Sequence, residues 1–303
     1  MAFGDINRVN TNLQSLSAQY SLNKINQELA NNQLQLSTGL RINKAADDAA
    51  GFSIASKIKG KLAGMNQASR NIGDAKSMLN IGESGLNSIM DALIQIKSKA
   101  TEGASGTLGQ TEMNYVEKQI NALGKQINTI AQNTKYNGSS LLYNSTGGAG
   151  STIDKTFQVG DGSSDTYSVS INDSTTASLF ATSATGLSSA AVGSFAMNES
   201  GSGGTVVSQT DFQNLLTDVG SAIDTLAGTT NQMGIDQNNL SIRQDNLSQA
   251  ITSNSAAKSR IMDANFAQVK SDSVRLQILQ QTATAALTQA NSSPQSVLTI
   301  LRG

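Results

Sequence analysis

Apolar residues near both ends of the chain recur at alternating steps of three and four. Ile6, Val9, Leu13, Leu16 and Tyr20 follow that spacing, and after one slip Leu22, Ile25, Leu29 and Leu36 continue a similar stripe. Toward the other end Phe266, Val269, Leu276, Ala283, Leu287 and Ala290 keep the same register, interrupted by Ser273 and Gln280. Stripes this narrow are coiled-coil seams. Two terminal helices with seams of similar width are natural partners for each other.

The faces outside the seams carry few charges. Between Val9 and Gly39 the only ones are Lys24 and Glu28, amid many Asn, Gln and Ser. A solvated coiled coil normally has charged flanks, and a helix of this composition is marginal in water when isolated. Each seam residue contributes about 1.5–3 kcal/mol when fully buried, against about 1–2 kcal/mol per residue for fixing the backbone. The terminal segments are therefore expected to order mainly against other copies of the chain, burying uncharged polar faces between them. The expected packing residues are Ile6, Val9, Leu13, Leu16, Tyr20, Ile25, Leu29, Phe266, Val269, Leu276 and Leu287, with an apolar tail that includes Val297 and Leu301. Pro294 is expected to kink or end the last helix.

Further helical seams lie inside the ends. Leu86, Ile89, Leu93, Ile96 and Ala100 form one, Val116, Ile120, Leu123, Ile127 and Ile130 a second, and Phe212, Leu216, Val219, Ile223 and Leu226 a third. Leu240, Leu247 and Ile251 predict a helix running on toward Ile261. Residues 138–210 differ, being rich in Gly, Ser and Thr without helical period. There Phe157 and Val159, then Tyr167, Val169 and Ile171, alternate at period two around Asp161-Gly-Ser-Ser164, which reads as a hairpin. The stretch from Asn172 to Ser208 reads as a short surface insert. The expected fold class is mainly α, with long terminal coiled-coil helices, an elongated helical bundle and a small β-hairpin region.

Composition excludes much chemistry. The chain has no Cys and no His, so disulfides, thiolate metal sites, zinc sites and His-assisted triads disappear. A net charge of −1, from 21 basic and 22 acidic residues, supplies no field for nucleic acid or anionic lipid and permits self-association. No stretch approaches the roughly 18 apolar residues of a membrane helix. Met1 to Arg8 lacks the basic start and apolar run of a secretory signal. A soluble chain, cytosolic or exported by an unconventional route, is expected, with no catalytic, cofactor or metal site.

Several motifs resemble one family. Val9-Asn-Thr-Asn-Leu13, Ser37-Thr-Gly-Leu-Arg-Ile-Asn43 running into Ala46-Asp-Asp-Ala-Ala-Gly51, and Gln67-Ala-Ser-Arg-Asn71 resemble the amino-terminal region of bacterial flagellin. Ser259-Arg-Ile-Met-Asp-Ala-Asn265, Gln277-Ile-Leu-Gln-Gln281, Gln289-Ala-Asn291 and Pro294-Gln-Ser-Val-Leu298 resemble its carboxy-terminal region. The likeness covers about residues 8–145 and 210–302.

The resemblance implies a structural subunit of the flagellar filament, exported unfolded by the flagellar type III apparatus and self-assembling outside the cell into a helical tube used for motility. It implies an inner tube of terminal coiled coils, residues 1–43 with 262–303, and an outer tube of helical bundle and hairpin, 44–171 with 209–261. A variable insert would occupy 172–208. Its implied partners are other copies of the chain, the export apparatus, a chaperone masking the carboxy-terminal apolar tail, and the filament cap and hook-associated proteins. The alternative is another axial component such as a hook-filament junction protein, which shares the terminal coiled coils. In the helix that many flagellins present to an animal innate immune receptor, the family's key Arg and Leu align with Gln95 and Lys99. The resemblance therefore does not by itself imply recognition by that receptor.

Four local features have simpler readings. Asp47-Asp48 precedes an apolar-periodic run and suits a helix start, where carboxylates favour the dipole; adjacent helical residues do not face each other, which disfavours an acid-base or metal pair. Gly147-Gly-Ala-Gly150 lacks the Lys and Ser/Thr of a phosphate loop and reads as a connector. Asp161 to Asp165 lacks the bidentate Glu of a calcium loop and reads as a turn. Arg41, beside Gly39, is either a solvated charge or an intersubunit contact at the junction of the two tubes.

Overall fold

The computed structural model describes residues 11–144, 150–180 and 207–302, with α6 side chains as far as Ser292. Within them the elements run α1 (Leu13–Thr38), α2 (Ala49–Gly103), α3 (Gln110–Asn133), β1 (Lys135–Tyr136), β2 (Ser139–Ser140), β3 (Thr152–Gln158), β4 (Thr166–Asn172), α4 (Thr176–Leu179), α5 (Gln209–Met262) and α6 (Phe266–Arg302). The protein is mainly α, as the periodicity predicts. It divides into two compact units, one of Met1–Leu62 with Thr252–Gly303 and one of Ala63–Ile251.

The Ala63–Ile251 unit holds one contiguous apolar cluster. From α2 come Ile72, Leu79, Leu86, Ile89, Leu93 and Ile96, from α3 Val116, Ile120 and Ile127, and from α5 Phe212, Leu215, Val219, Leu226, Met233 and Leu240. The seam expected on α2 is buried throughout. On α3, Leu123 and Ile130 are only half-buried. On α5 the burial follows Phe212, Leu215, Val219, Ala222, Leu226, Thr229, Met233, Asp236 and Leu240, a stripe that includes Leu215 and leaves Leu216 at its edge. Leu215 and Leu216 both stand three or four residues from Phe212 and Val219, so spacing alone does not choose between them and the packing does.

The β3–β4 hairpin pairs antiparallel, with Phe157 opposite Tyr167 and Ile153 opposite Ile171. It starts at Thr152, earlier than alternation alone indicated. Asp165 closes the turn, its Oδ2 accepting from the Gly162 N–H at 3.0 Å while its carbonyl accepts from the Val159 N–H at 2.8 Å. The inner face, Ile153, Val169 and Ile171, is buried. Tyr167 donates its hydroxyl to Oδ1 of the buried Asp236 at 2.7 Å, with the Arg243 guanidinium over its ring at 4.9 Å. Burial, and then the bond to Asp236, hold the Tyr167 phenol above its ordinary pKa.

The first part of the expected surface insert is packed structure. Asp173, Ser174, Thr175, Thr176, Leu179 and Phe180 are all buried. Asn128 Oδ1 accepts from the backbone N–H and the hydroxyl of Thr176 at 2.9 and 3.0 Å, and the Asp173 carboxylate accepts from the N–H groups of Thr175 and Asn144. Satisfied in this way, the polar residues that read as a loop can lie against the helices. Residues 181–206 of the insert lie outside the described residues, as does most of the Gly147–Gly150 connector, while Val207 near its end is buried.

Phe212→Ala is expected to lower the stability of this unit by about 3–5 kcal/mol, whereas Ile235→Ala, at a residue 46% exposed, changes it by less than about 0.5 kcal/mol. Urea unfolding followed by circular dichroism measures both.

Candidate assembly surface on the terminal helices

Helices α1 and α6 pack antiparallel. Asn12 bonds Ala290 at one end, Gln280 bonds Asn26 midway, and Leu40 bridges Asp263 at the other. On α1 Ser15, Ala18, Leu22, Ile25, Leu29, Asn32 and Leu36 are withdrawn from solvent at steps of three and four, with Gln35 beside the last of them. On α6 Val269, Ser273, Leu276, Gln280, Ala283, Leu287 and Ala290 are withdrawn in the same way, with Asp272 beside Ser273. Leu29, Val269 and Leu276 are buried, and Ile25 and Leu287 half-buried.

This register changes the meaning of the slip in the α1 stripe. Tyr20 and Leu22 are two residues apart, which is about 200° around a helix, so the residues before the slip leave the α6 side. Leu13, Leu16 and Tyr20 are 49%, 60% and 73% exposed. Phe266, at the first turn of α6, is also exposed. The outward side of α6 carries Val274, Ile278 and Leu279, likewise exposed, which with Ser271 and Arg275 line an open groove of about 500 Å³. The terminal helices thus have one apolar seam covered within the chain and apolar faces left uncovered. Ile6 and Val9 lie outside the described residues, as do the side chains of Val297 and Leu301.

Asn12 makes two bonds that sequence reasoning missed. As the N-cap of α1, its Oδ1 accepts from the Ser15 N–H at 3.0 Å. Its Nδ2 donates to the Ala290 carbonyl at 2.7 Å. That carbonyl is four residues before Pro294, which has no N–H to offer it. Helix α6 runs on through Pro294 to Arg302, so the expectation that the proline ends the helix is corrected. The carbonyl it leaves bare has a donor from α1, and Ser15 Oγ adds a bond to Asn291 Oδ1 at 2.6 Å. The signal was present in the paired motifs Asn-Thr-Asn-Leu13 and Gln289-Ala-Asn-Ser-Ser-Pro294, but only their apposition gives it meaning.

At the opposite end Gly39 takes a left-handed backbone, φ 71°, and caps α1 by donating to the Gln35 carbonyl. The chain then runs beside the α5–α6 turn. The Arg41 N–H donates to the Met262 carbonyl at 2.6 Å, its Nη2 to the Ile261 carbonyl at 2.8 Å, and the Ala264 N–H to the Gly39 carbonyl at 2.9 Å. A cation on the last carbonyls of α5 is favoured by the helix dipole. Arg41 therefore has an intrachain role at this joint, which neither of its sequence readings included.

Asp47 and Asp48 sit just before α2 rather than inside its first turn. Asp48 Oδ1 accepts from the Gly51 N–H at 2.9 Å and caps the helix, while Asp47 Oδ2 accepts from the N–H groups of Asn43 and Lys44, each at 2.9 Å. Those two backbone bonds, Asn43 first, hold the Asp47 carboxyl below its ordinary pKa. Asn32 is a second missed residue. It is buried in the α1 seam with its Oδ1 lacking a hydrogen-bond partner, and an amide placed so disfavours alternative registers at a cost in stability.

Paired terminal helices with uncovered apolar faces and no charge-rich flank are the features of a self-associating structural protein. The description "Bacterial flagellin N-terminal helical region" matches residues 9–146, and "Bacterial flagellin C-terminal helical region" matches 216–301. Flagellin of Bacillus subtilis (strain 168) is 31% identical over 303 residues, spanning 97% of this chain and 100% of its own length. The flagellar filament 33 kDa core protein of Treponema phagedenis is 29% identical, spanning 97% and 99%. A structure described as a flagellar hook-associated protein from Vibrio parahaemolyticus shares the fold, with a TM-score of 0.54 and 14% identity over 72% of this chain and 100% of that one. The chain belongs to the bacterial flagellin family, and it is a structural subunit of the flagellar filament.

Asn12→Ala is expected to loosen the first turn of α1 and the α6 turn around Ala290 by about 1–3 kcal/mol, read as faster amide hydrogen exchange there with the Ala63–Ile251 core unchanged. The lowered pKa of Asp47 fixes a sign for pH. Its contribution is fully present above the ordinary carboxylate range and is lost as pH falls through the lower folded value. The gap in thermal midpoint between the wild-type chain and Asp47→Asn is thus expected to be constant near neutrality and to close in acid.

Proposed function

We propose that the uncovered faces of α1 and α6 are the surfaces through which one subunit packs on the next. Leu13, Leu16 and Tyr20 on one helix, and Val274, Ile278 and Leu279 on the other, remain in water when the seam inside the chain is complete. This exposure is the observation that carries the reading. Unlike patches that meet between successive copies generate an open helical array rather than a closed ring. Residues 1–43 with 262–303 would then form the inner tube of the filament, and 44–171 with 209–261 the outer tube, with Arg41 at the junction between them.

The remaining steps follow from the same economy. A lone chain gains too little from a seam interrupted by Ser15, Asn32, Ser273 and Gln280, so the termini complete their order on joining the filament. Export in an unfolded state through the flagellar apparatus to the cell exterior suits such a chain. A chaperone covering the carboxy-terminal segment before export, and contact with the filament cap and hook-associated proteins, complete the proposed set of partners. The protein works by assembly and the transmission of torque, without catalysis.

Seeded polymerisation tests the surfaces directly. Leu16→Asp and Ile278→Asp each place a charge on an uncovered face, and each is expected to abolish elongation from filament fragments, viewed by electron microscopy. The helix content of the Ala63–Ile251 unit stays unchanged. Elongation by both variants at the wild-type rate would remove these faces from the interface.

A further inference from the structure

The chain contains one Asn-Gly pair, Asn137-Gly138. It forms the two-residue turn between β1 and β2, with φ of 48° at Asn137 and 78° at Gly138, and Tyr136 paired with Ser139 across it. Both residues are exposed, and a Cβ built on Gly138 meets nothing within 4 Å. Among the described residues the Asn137 carboxamide and the Gly138 N–H have no hydrogen-bond partner. The related acidic pair, Asp161-Gly162, is engaged, because the Gly162 N–H donates to Asp165.

We propose that Asn137 is a site of spontaneous amide loss, through which this protein ages without any enzyme. The Gly138 nitrogen attacks Cγ of Asn137, and the C–Nδ2 bond breaks. Nδ2 leaves as ammonia, taking up the proton lost from Gly138 by way of water, and a five-membered succinimide remains. Water then adds to either ring carbonyl and opens it, giving aspartate through one cleavage and isoaspartate through the other. One water is consumed, one ammonia is released, and nothing is oxidised or reduced. Glycine favours the attack because no side chain shields its nitrogen.

The folded turn governs the rate. A left-handed Asn backbone carries the following nitrogen away from its own Cγ, so ring closure waits for local opening. Opening is easy here, because a hairpin of two residue pairs is marginal by itself. The consequence reaches the core. Isoaspartate routes the backbone through Cβ and lengthens a two-residue turn, disturbing the pairing of Lys135 with Ser140. Directly after it stand Leu141 and Leu142, both fully buried, with the Leu141 N–H donating to the Thr134 carbonyl at 3.0 Å.

The full-length protein, incubated at physiological temperature in mildly alkaline buffer, tests this by peptide mapping with isoaspartyl methyltransferase labelling. Conversion at Asn137 is expected to run about ten times faster than at other Asn residues of the described chain, since no other has a following glycine to leave its nitrogen unshielded. Gly138→Ala, compared in urea so that the turn itself plays no part, is expected to slow the reaction by about the same factor. An Asn137 amide that persists in the folded protein while the unfolded chain loses it would show the turn to be protective and overturn the proposal. So would earlier conversion at another Asn.

Discussion

The antiparallel seam between α1 and α6 is the constraint on which the terminal unit depends. Leu22, Ile25 and Leu29 on one helix and Val269, Leu276 and Leu287 on the other claim the inner faces. Apolar residues off that seam must then look outward. Leu13, Leu16, Tyr20, Val274 and Ile278 remain exposed because the seam is narrow and already filled. A surface for self-association thus results from how two helices divide their apolar residues. The ends of the seam are pinned by polar devices, the Asn12 side chain on the Ala290 carbonyl and Arg41 on the carbonyls that close α5.

The Ala63–Ile251 unit follows a different rule. It buries large side chains from α2, α3 and α5 in one cluster and bonds buried polar groups such as Thr229 and Asp236. Thr229 returns its hydroxyl to the Thr225 carbonyl, and Asp236 accepts from Tyr167 and Gln232. The hairpin is fastened to α5 through that buried carboxylate. Among the described residues of this unit Asn121 Oδ1, Asn128 Nδ2 and Ser151 Oγ are buried without partners, and its stability rests on packing.

Much of this was legible in the sequence, and the reasons are physical. Leu86, Ile89, Leu93 and Ile96 recur at helical spacing and are all fully buried, because a helix covered along one side must repeat its apolar residues at that period. The hairpin was legible from alternation on either side of a Gly-Ser turn. The division of the α1 stripe between two faces was harder to see. A slip of two residues looks like noise in a linear pattern and becomes a change of face only once the partner helix is placed. That the last helix does not end at Pro294 was hidden for a related reason, since the donor that replaces its missing N–H lies at the far end of the chain. Asp173 to Phe180 looked like loop, because composition does not reveal that Asn128 stands ready to bond the Thr176 backbone.

The uncharged character of the terminal helices has a consequence of its own. Between Val9 and Gly39 only Lys24 and Glu28 bear charge, and between Phe266 and Asn291 only Lys270, Asp272 and Arg275, two of which pair with each other. Counterions can loosen or tighten only interactions that involve charge. A joint made of methyl groups, amides and hydroxyls gives ionic strength little purchase. The cohesion of these helices is therefore indifferent to whether the surrounding medium is fresh or brackish.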